Sequence, residues 1–115
     1  MMNLETAQHE DITVLTPVTR RLDASVARSF REAVMKHIDA GQTRLLFDFS
    51  RVDFIDSSCL GSLISLLKAI NGKGEMALCD LNPNIQTMFK LTRMDRVFTL
   101  YGTENDALTA MQGRT

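Results

Sequence analysis

Leu45-Leu46-Phe47-Asp48-Phe49, then Asp56-Ser57-Ser58 opening a run with Leu60, Leu63, Ile64, Leu67 and Ile70 at helical spacing, then Met76-Ala77-Leu78-Cys79: this stretch decides the fold. The first segment, Arg44–Phe49, is a short apolar run between polar residues and predicts a mostly buried strand. Asp56 and Ser57 are both of a residue type that caps helices, and Asn71-Gly72 is a C-terminal stop, so a helix is predicted from there to about Asn71. Glu75–Cys79 predicts the next strand. A strand, a helix and a strand in that order call for a parallel pair joined by a right-handed crossover.

The pattern continues outward on both sides. Ile12-Thr13-Val14-Leu15-Thr16 is β-branched and strand-like, and the polar Leu4–Glu10 before it is a weakly patterned candidate partner strand. Val26, Phe30, Val34 and Ile38 recur every four residues after the cap candidates Asp23 and Ser25, and Gly41 supplies a stop. Asn82-Pro83 opens a helix with Ile85, Met88, Phe89 and Leu91 assigned to its inner face. Val97–Leu100 is a last strand, and Thr103 with Asp106 resembles a capping pattern before Ala107, Leu108 and Met111. The expectation is one α/β domain over residues 1–115, its core about 4–111. A mixed, mostly parallel sheet of four to five strands is flanked by about four helices.

Composition sets further bounds. Of 115 residues, 44% are apolar and 23% charged, ordinary globular usage for a single domain. Thirteen basic against fourteen acidic side chains give a net charge of -1, which argues against a phosphate-backbone binder and so against nucleic acid as a partner. The N-terminus lacks the basic start and apolar run of a signal peptide, and no transmembrane-length apolar stretch occurs, so no membrane insertion is expected. Cys59 and Cys79, with only His9 and His37 elsewhere, form neither a disulfide framework nor a zinc pattern. A protein of the reducing cytoplasm, without a cofactor, is expected.

Spacing excludes several chemistries. Neither cysteine has an arginine six residues on, as a cysteine-phosphatase loop requires to hold phosphate bidentately; those positions are Ser65 and Ile85. No nucleophile elbow or Walker loop is present. Gly72-Lys73-Gly74-Glu75-Met76-Ala77 spells a dinucleotide-like fingerprint but lies after a helix and before a strand, so it reads as a turn. Arg20, Arg21, Arg28 and Arg31 read as a solvated face diluted by Asp23 and Glu32. No catalytic set remains, and no enzyme is expected.

One loop stands out, Phe54-Ile55-Asp56-Ser57-Ser58-Cys59-Leu60-Gly61, beyond the carboxyl end of the central strand, where sites form in parallel α/β sheets. It resembles the phosphorylation-loop motif of bacterial anti-sigma factor antagonists, which are stand-alone STAS domains. Leu22-Asp23, Asn82-Pro83 with Met88-Phe89, and Leu91-Thr92-Arg93-Met94-Asp95-Arg96-Val97-Phe98 extend the resemblance over about Ile12 to Met111.

The resemblance implies a partner switch. The unmodified protein binds an anti-sigma factor that is itself a serine kinase and frees the sigma factor. Phosphorylation of Ser57 (alternatively Ser58) breaks the complex, and a serine phosphatase restores it. The implied partner-binding residues are Asp23, Asp56, Ser57, Ser58, Cys59, Leu60 and Gly61, with Arg20 and Arg21 as weaker contributors, and the free chain is expected to be a monomer. The alternative is a non-switching STAS subunit of a transporter or scaffold complex. Three family glycines are replaced, by Arg20, Cys59 and Arg93. Cys59, in the first turn of its helix, reads either as a small buried residue or as an activated thiol.

Overall fold

The computed structural model describes residues 2–113. Seven strands and four helices follow one another as β1 (Leu4–His9), β2 (Ile12–Pro17), β3 (Arg21–Leu22), α1 (Ala27–Asp39), β4 (Arg44–Asp48), β5 (Phe54–Ile55), α2 (Ser57–Ile70), β6 (Glu75–Cys79), α3 (Pro83–Leu91), β7 (Thr99–Tyr101) and α4 (Glu104–Gln112). A 3-10 turn, Met94–Arg96, separates α3 from β7. The main sheet has the order β1-β2-β4-β6-β7, with β1 antiparallel to β2 and the other pairs parallel. The expected mixed, mostly parallel α/β architecture is therefore observed. A second sheet of two strands, β3 with β5, sits apart from it.

Strand alternation divides the interior in two. Leu15, Leu45, Phe47, Met76 and Leu78 face a large core with Phe30, Val34, Leu63, Leu66 and Phe89 of α1, α2 and α3. Their neighbours Val14, Leu46, Ala77 and Cys79 face the opposite side, where Ala107 and Met111 of α4 cover them. Both sides of β2, β4 and β6 are thus apolar, which is why these segments read as continuous apolar runs. β1 is exposed over five of its six residues, which explains its weak sequence pattern. Arg44 ties the start of β4 to its surroundings: its guanidinium donates to Asp11 at 2.8 Å, to Glu75 at 2.9 Å and to the Met111 carbonyl.

Several local expectations change. Neither Asp23 nor Ser25 caps α1; the N-cap is Val26, without a side-chain bond, and Asp23 instead accepts the backbone N–H and hydroxyl of Ser25 in the preceding turn. On α2 the expected stripe is kept, with Ile64 and Leu67 half-buried against the core, and Cys59 and Leu66 join it fully buried. Leu91 is 80% exposed rather than inward. It lies two residues beyond buried Phe89, a rotation of about 200° around the helix. The last strand begins at Thr99 because Met94–Arg96 form the 3-10 turn, leaving Val97 exposed and Phe98 buried against Phe89, ring centroids 6.0 Å apart. Asn82 and Thr103 do cap α3 and α4, accepting the N–H of Ile85 at 2.9 Å and of Asp106 at 3.0 Å. Gly72-Lys73-Gly74 is a turn, as its context predicts.

Candidate functional site

Asp56 organises the loop between β5 and α2. Its backbone is extended, its Oδ1 accepts the Cys59 N–H at 3.1 Å as the N-cap of α2, and its Oδ2 accepts the Ala24 N–H at 2.9 Å. Its own N–H donates to the Leu22 carbonyl at 3.0 Å. The same carboxylate therefore starts one helix and holds the segment leading to another. Cys59 adds a further tie, its thiol lying 3.4 Å from the Asp23 carbonyl oxygen. On the other side Asn82 donates to the Asp53 carbonyl at 3.0 Å while capping α3.

Ser57 and Ser58 are the first two residues of α2, and both are exposed, as is Gly61 one turn on. Cys59 and Leu60, also expected at the partner surface, are buried and pack in the core of the free chain. Helical rotation separates the two groups: 57, 58 and 61 share the outer side, 59 and 60 the inner. Gly61 lies inside the helix, and a Cβ there would meet nothing within 4 Å. A helix-interior glycine costs about 1 kcal/mol relative to alanine, and no internal contact of the chain requires it.

Burial, with the charges of Asp56 and Asp23, pushes the Cys59 thiol up to about 12. Cys59 is thus placed as the small buried residue of the two readings, its thiol raised by loss of solvent and two nearby carboxylates. Hydrogen bonding from Ser25 holds the Asp23 carboxyl below its usual range, with Arg21 adding to the effect, so Asp23 contributes a negative charge beside the loop.

Three features of the site are not in the sequence motif. The Arg21 guanidinium lies 4.4 Å from the ring centroid of Phe54, a side chain 40% exposed. Arg20 Nε donates to Asp53 Oδ2 at 2.7 Å, and the Arg20 carbonyl accepts from Asp53 and Phe54 N–H. An open groove of about 610 Å³ runs between the loop and α3, lined by Asp53, Phe54, Ile55, Asp56, Ser57, Asn84, Ile85 and Met88. Of the basic cluster, Arg20 and Arg21 thus border the loop, whereas Arg28 pairs with Glu32 along α1 and Arg31 donates to Ser65 of α2.

Asp56→Ala is expected to cost about 1–2 kcal/mol through the lost cap and the lost tether of Ala24. Denaturant midpoints and amide exchange check this: Ala24 and Cys59 should both lose protection, and unchanged protection at Ala24 would contradict the double role.

A second polar cluster lies at the ends of β4 and β6. The ligand-type atoms of Asp48, Cys79 and Asp80 fall within 4.8 Å of one another. Ser50 N–H already donates to Asp48 Oδ1 and Glu104 N–H to Asp80 Oδ2, and burial raises the Cys79 thiol, so these donors serve the protein's own bonds. A side-chain hydrogen bond with Asp48, then burial and the charges of Asp48 and Asp80, push Glu104 up to about 7. The folded state therefore holds a proton that the unfolded chain releases above pH about 4.5. Stability falls as pH rises from there through about 7, by about 1–2 kcal/mol once solvent screening is allowed for. Urea midpoints across this range should decline for the wild type and flatten in Glu104→Gln, which keeps a donor for Asp48 without a titrating proton.

The STAS domain family matches residues 3–107. The chain is 31% identical to a Thermotoga neapolitana protein described as an anti-sigma factor antagonist homologue, over 91% of this chain and 94% of that one. It is 28% identical to the anti-sigma F factor antagonist of Paenibacillus polymyxa, covering 96% and 97%. A Thermotoga maritima crystal structure of similar description superposes with a TM-score of 0.88 at 26% identity, covering 95% and 94%. The Bacillus cell fate determinant SpoIIAA shares the fold, with TM-scores of 0.73 unphosphorylated (21% identity, covering 98% and 99%) and 0.68 phosphorylated (19%, covering 96% and 98%). Among the described residues no helix is long and apolar enough to cross a membrane.

Proposed function

The chain belongs to the STAS domain family, and from that premise we propose that it is an anti-sigma factor antagonist switched by phosphorylation of Ser57. In this reading the unmodified protein binds an anti-sigma factor that is a serine kinase and displaces its sigma factor. Phosphate on Ser57 ends the complex, and a serine phosphatase regenerates it. Asp23, Asp56, Ser58 and Gly61 surround the acceptor on the binding face.

The observation carrying the proposal is the exposure of Ser57 and Ser58 at the start of a helix whose cap is already satisfied by Asp56. A hydroxyl engaged in capping would be shielded by its own bond; here Asp56 leaves the serines outside. Gly61 supports the same reading, since it keeps the surface beside Ser57 flat at a cost to helix stability with no internal contact to account for it. A phosphate adds about -1.5 to -2 charge at a helix N-terminus, which the chain tolerates and even favours by about 0.3–2 kcal/mol. The same charge facing a partner carboxylate about 5 Å away is repelled by several kcal/mol at an effective dielectric near 20.

The test is phosphosite mapping by mass spectrometry after incubation with native-cell lysate and ATP, alongside Ser57→Ala. One phosphate on Ser57, absent from the variant, is expected. Phosphate confined to Ser58 would move the switch by one residue. No phosphate, with recovery of a transporter complex instead, would favour the non-switching subunit.

A further inference from the structure

Two of the three exposed large apolar side chains among the described residues, Leu91 at 80% and Val97 at 46%, lie in one corner, where α3 ends and the 3-10 turn leads into β7. Lys90, Arg93 and Arg96 share that corner and are exposed, and none forms an ion pair among the described residues. With Asp95 the only acid between Lys90 and Val97, the corner carries a local excess of two positive charges in a chain whose net charge is -1. Arg93 sits at φ 60°, a left-handed conformation that non-glycine residues seldom adopt. A long cation is thus held, against backbone preference, two residues beyond an exposed leucine.

The corner is preformed. Arg93 N–H donates to the Lys90 carbonyl and Arg96 N–H to the Arg93 carbonyl, both at 3.2 Å, and Val97 N–H donates to Met94 at 3.0 Å. The Phe89–Phe98 ring contact lies beneath. Next to it opens a cavity of about 220 Å³ with Leu81 and Leu100 as apolar walls and Lys90, Gln86, Asp95 and Tyr101 around them. That is room for one bulky apolar side chain, with Lys90 and Asp95, of opposite charge, in its lining and the two arginines outside it.

We propose that this corner is a second docking surface, for an acidic protein segment that places an apolar side chain in the cavity and its carboxylates against Lys90, Arg93 and Arg96. Charge complementarity selects the occupant. A membrane surface is the weaker fit, because stable attraction to anionic lipid takes clusters of about four to eight basic residues or a broad apolar helix face. Here there are three cations, one acid and two apolar side chains. The surface adjoins the far end of α3 from the Ser57 groove, whose α3 residues are Asn84, Ile85 and Met88. It does not depend on the phosphorylation reading.

The experiment is an amide-resolved NMR titration of the full chain with a synthetic acidic peptide of Glu and Leu at helical spacing. Shifts should concentrate between residues 86 and 101, weaken with added salt, and fall by about tenfold in affinity for Arg93→Glu combined with Arg96→Glu. Leu91→Ser, an exposed change that the fold tolerates, should weaken binding as well, and Ser57→Asp should leave it unchanged. Absent shifts, shifts at residues 53–61 instead, or equal binding by the charge-reversed variant would overturn the proposal. So would binding to phosphatidylcholine vesicles containing phosphatidylserine without binding to the peptide.

Discussion

Ser57→Asp is expected to weaken binding of the cognate anti-sigma factor by about a hundredfold while leaving the thermal midpoint unchanged or slightly raised. A carboxylate at the first position of α2 faces free backbone N–H groups and the positive end of the helix, worth about 0.3–1 kcal/mol in its favour. At an interface the sign reverses. One negative charge about 5 Å from a partner carboxylate costs about 3 kcal/mol at an effective dielectric near 20, and each 1.4 kcal/mol is tenfold in affinity. Asp23 and Asp56 already place two carboxylates beside the loop, the first paired with Arg21 and the second bound to the Ala24 N–H. Calorimetric titration with the purified partner, paired with thermal unfolding of the free chain, separates the two effects. Undiminished affinity would remove Ser57 from the interface; lost affinity together with a collapsed midpoint would assign the loss to unfolding.

Gly74→Ala is expected to cost about 3 kcal/mol and lower the thermal midpoint by roughly 10 °C. An added Cβ would stand 1.9 Å from the Thr43 carbonyl oxygen and 2.6 Å from the Thr43 Cβ, contacts that demand a backbone shift. The shift would open the Glu75 N–H bond to Thr43 at 2.9 Å, the first rung between β4 and β6, and disturb the Arg44–Glu75 pair. Gly72 is the informative comparison. It has a positive φ of 81° but open space around it, so alanine there pays only the backbone term, about 1 kcal/mol. Denaturation midpoints should therefore rank Gly74→Ala well below Gly72→Ala. Equal costs would mean that backbone conformation, rather than the approach to Thr43, governs this turn.

The legible parts of the fold were those written in local spacing. Four-residue recurrence placed Phe30, Val34 and Ile38 in the core, continuous apolar runs marked β4 and β6, and Asn82 and Thr103 announced their helices as caps. Asp56 was legible as a cap, and Ser57 as the residue following it, because both roles depend on positions within a few residues. Asp23 was misread as a helix cap because an acceptor near a helix start has two local choices, and the bond from Ser25 won. Leu91 was misread because apolar identity was given more weight than angular position, whereas Ile64 does pack, half-buried, against the core.

By itself the sequence determined the order of the main-sheet strands and the four helices, the two-sided burial of the central strands, the caps of α2, α3 and α4, and the loop motif around Ser57. These follow from interactions between neighbours in the chain, where spacing is also geometry. Only the tertiary structure decided which distant segments meet. Asp56 reaches back 32 residues to the Ala24 N–H, Arg20 pairs with Asp53, Arg21 covers Phe54, and Glu104 shares its hydrogen bond with Asp48. Each joins groups far apart along the chain, brought together by parallel crossovers that no local period encodes. The loop's residues were legible in the sequence; its groove, its tie to Ala24 and its bordering arginines come from packing.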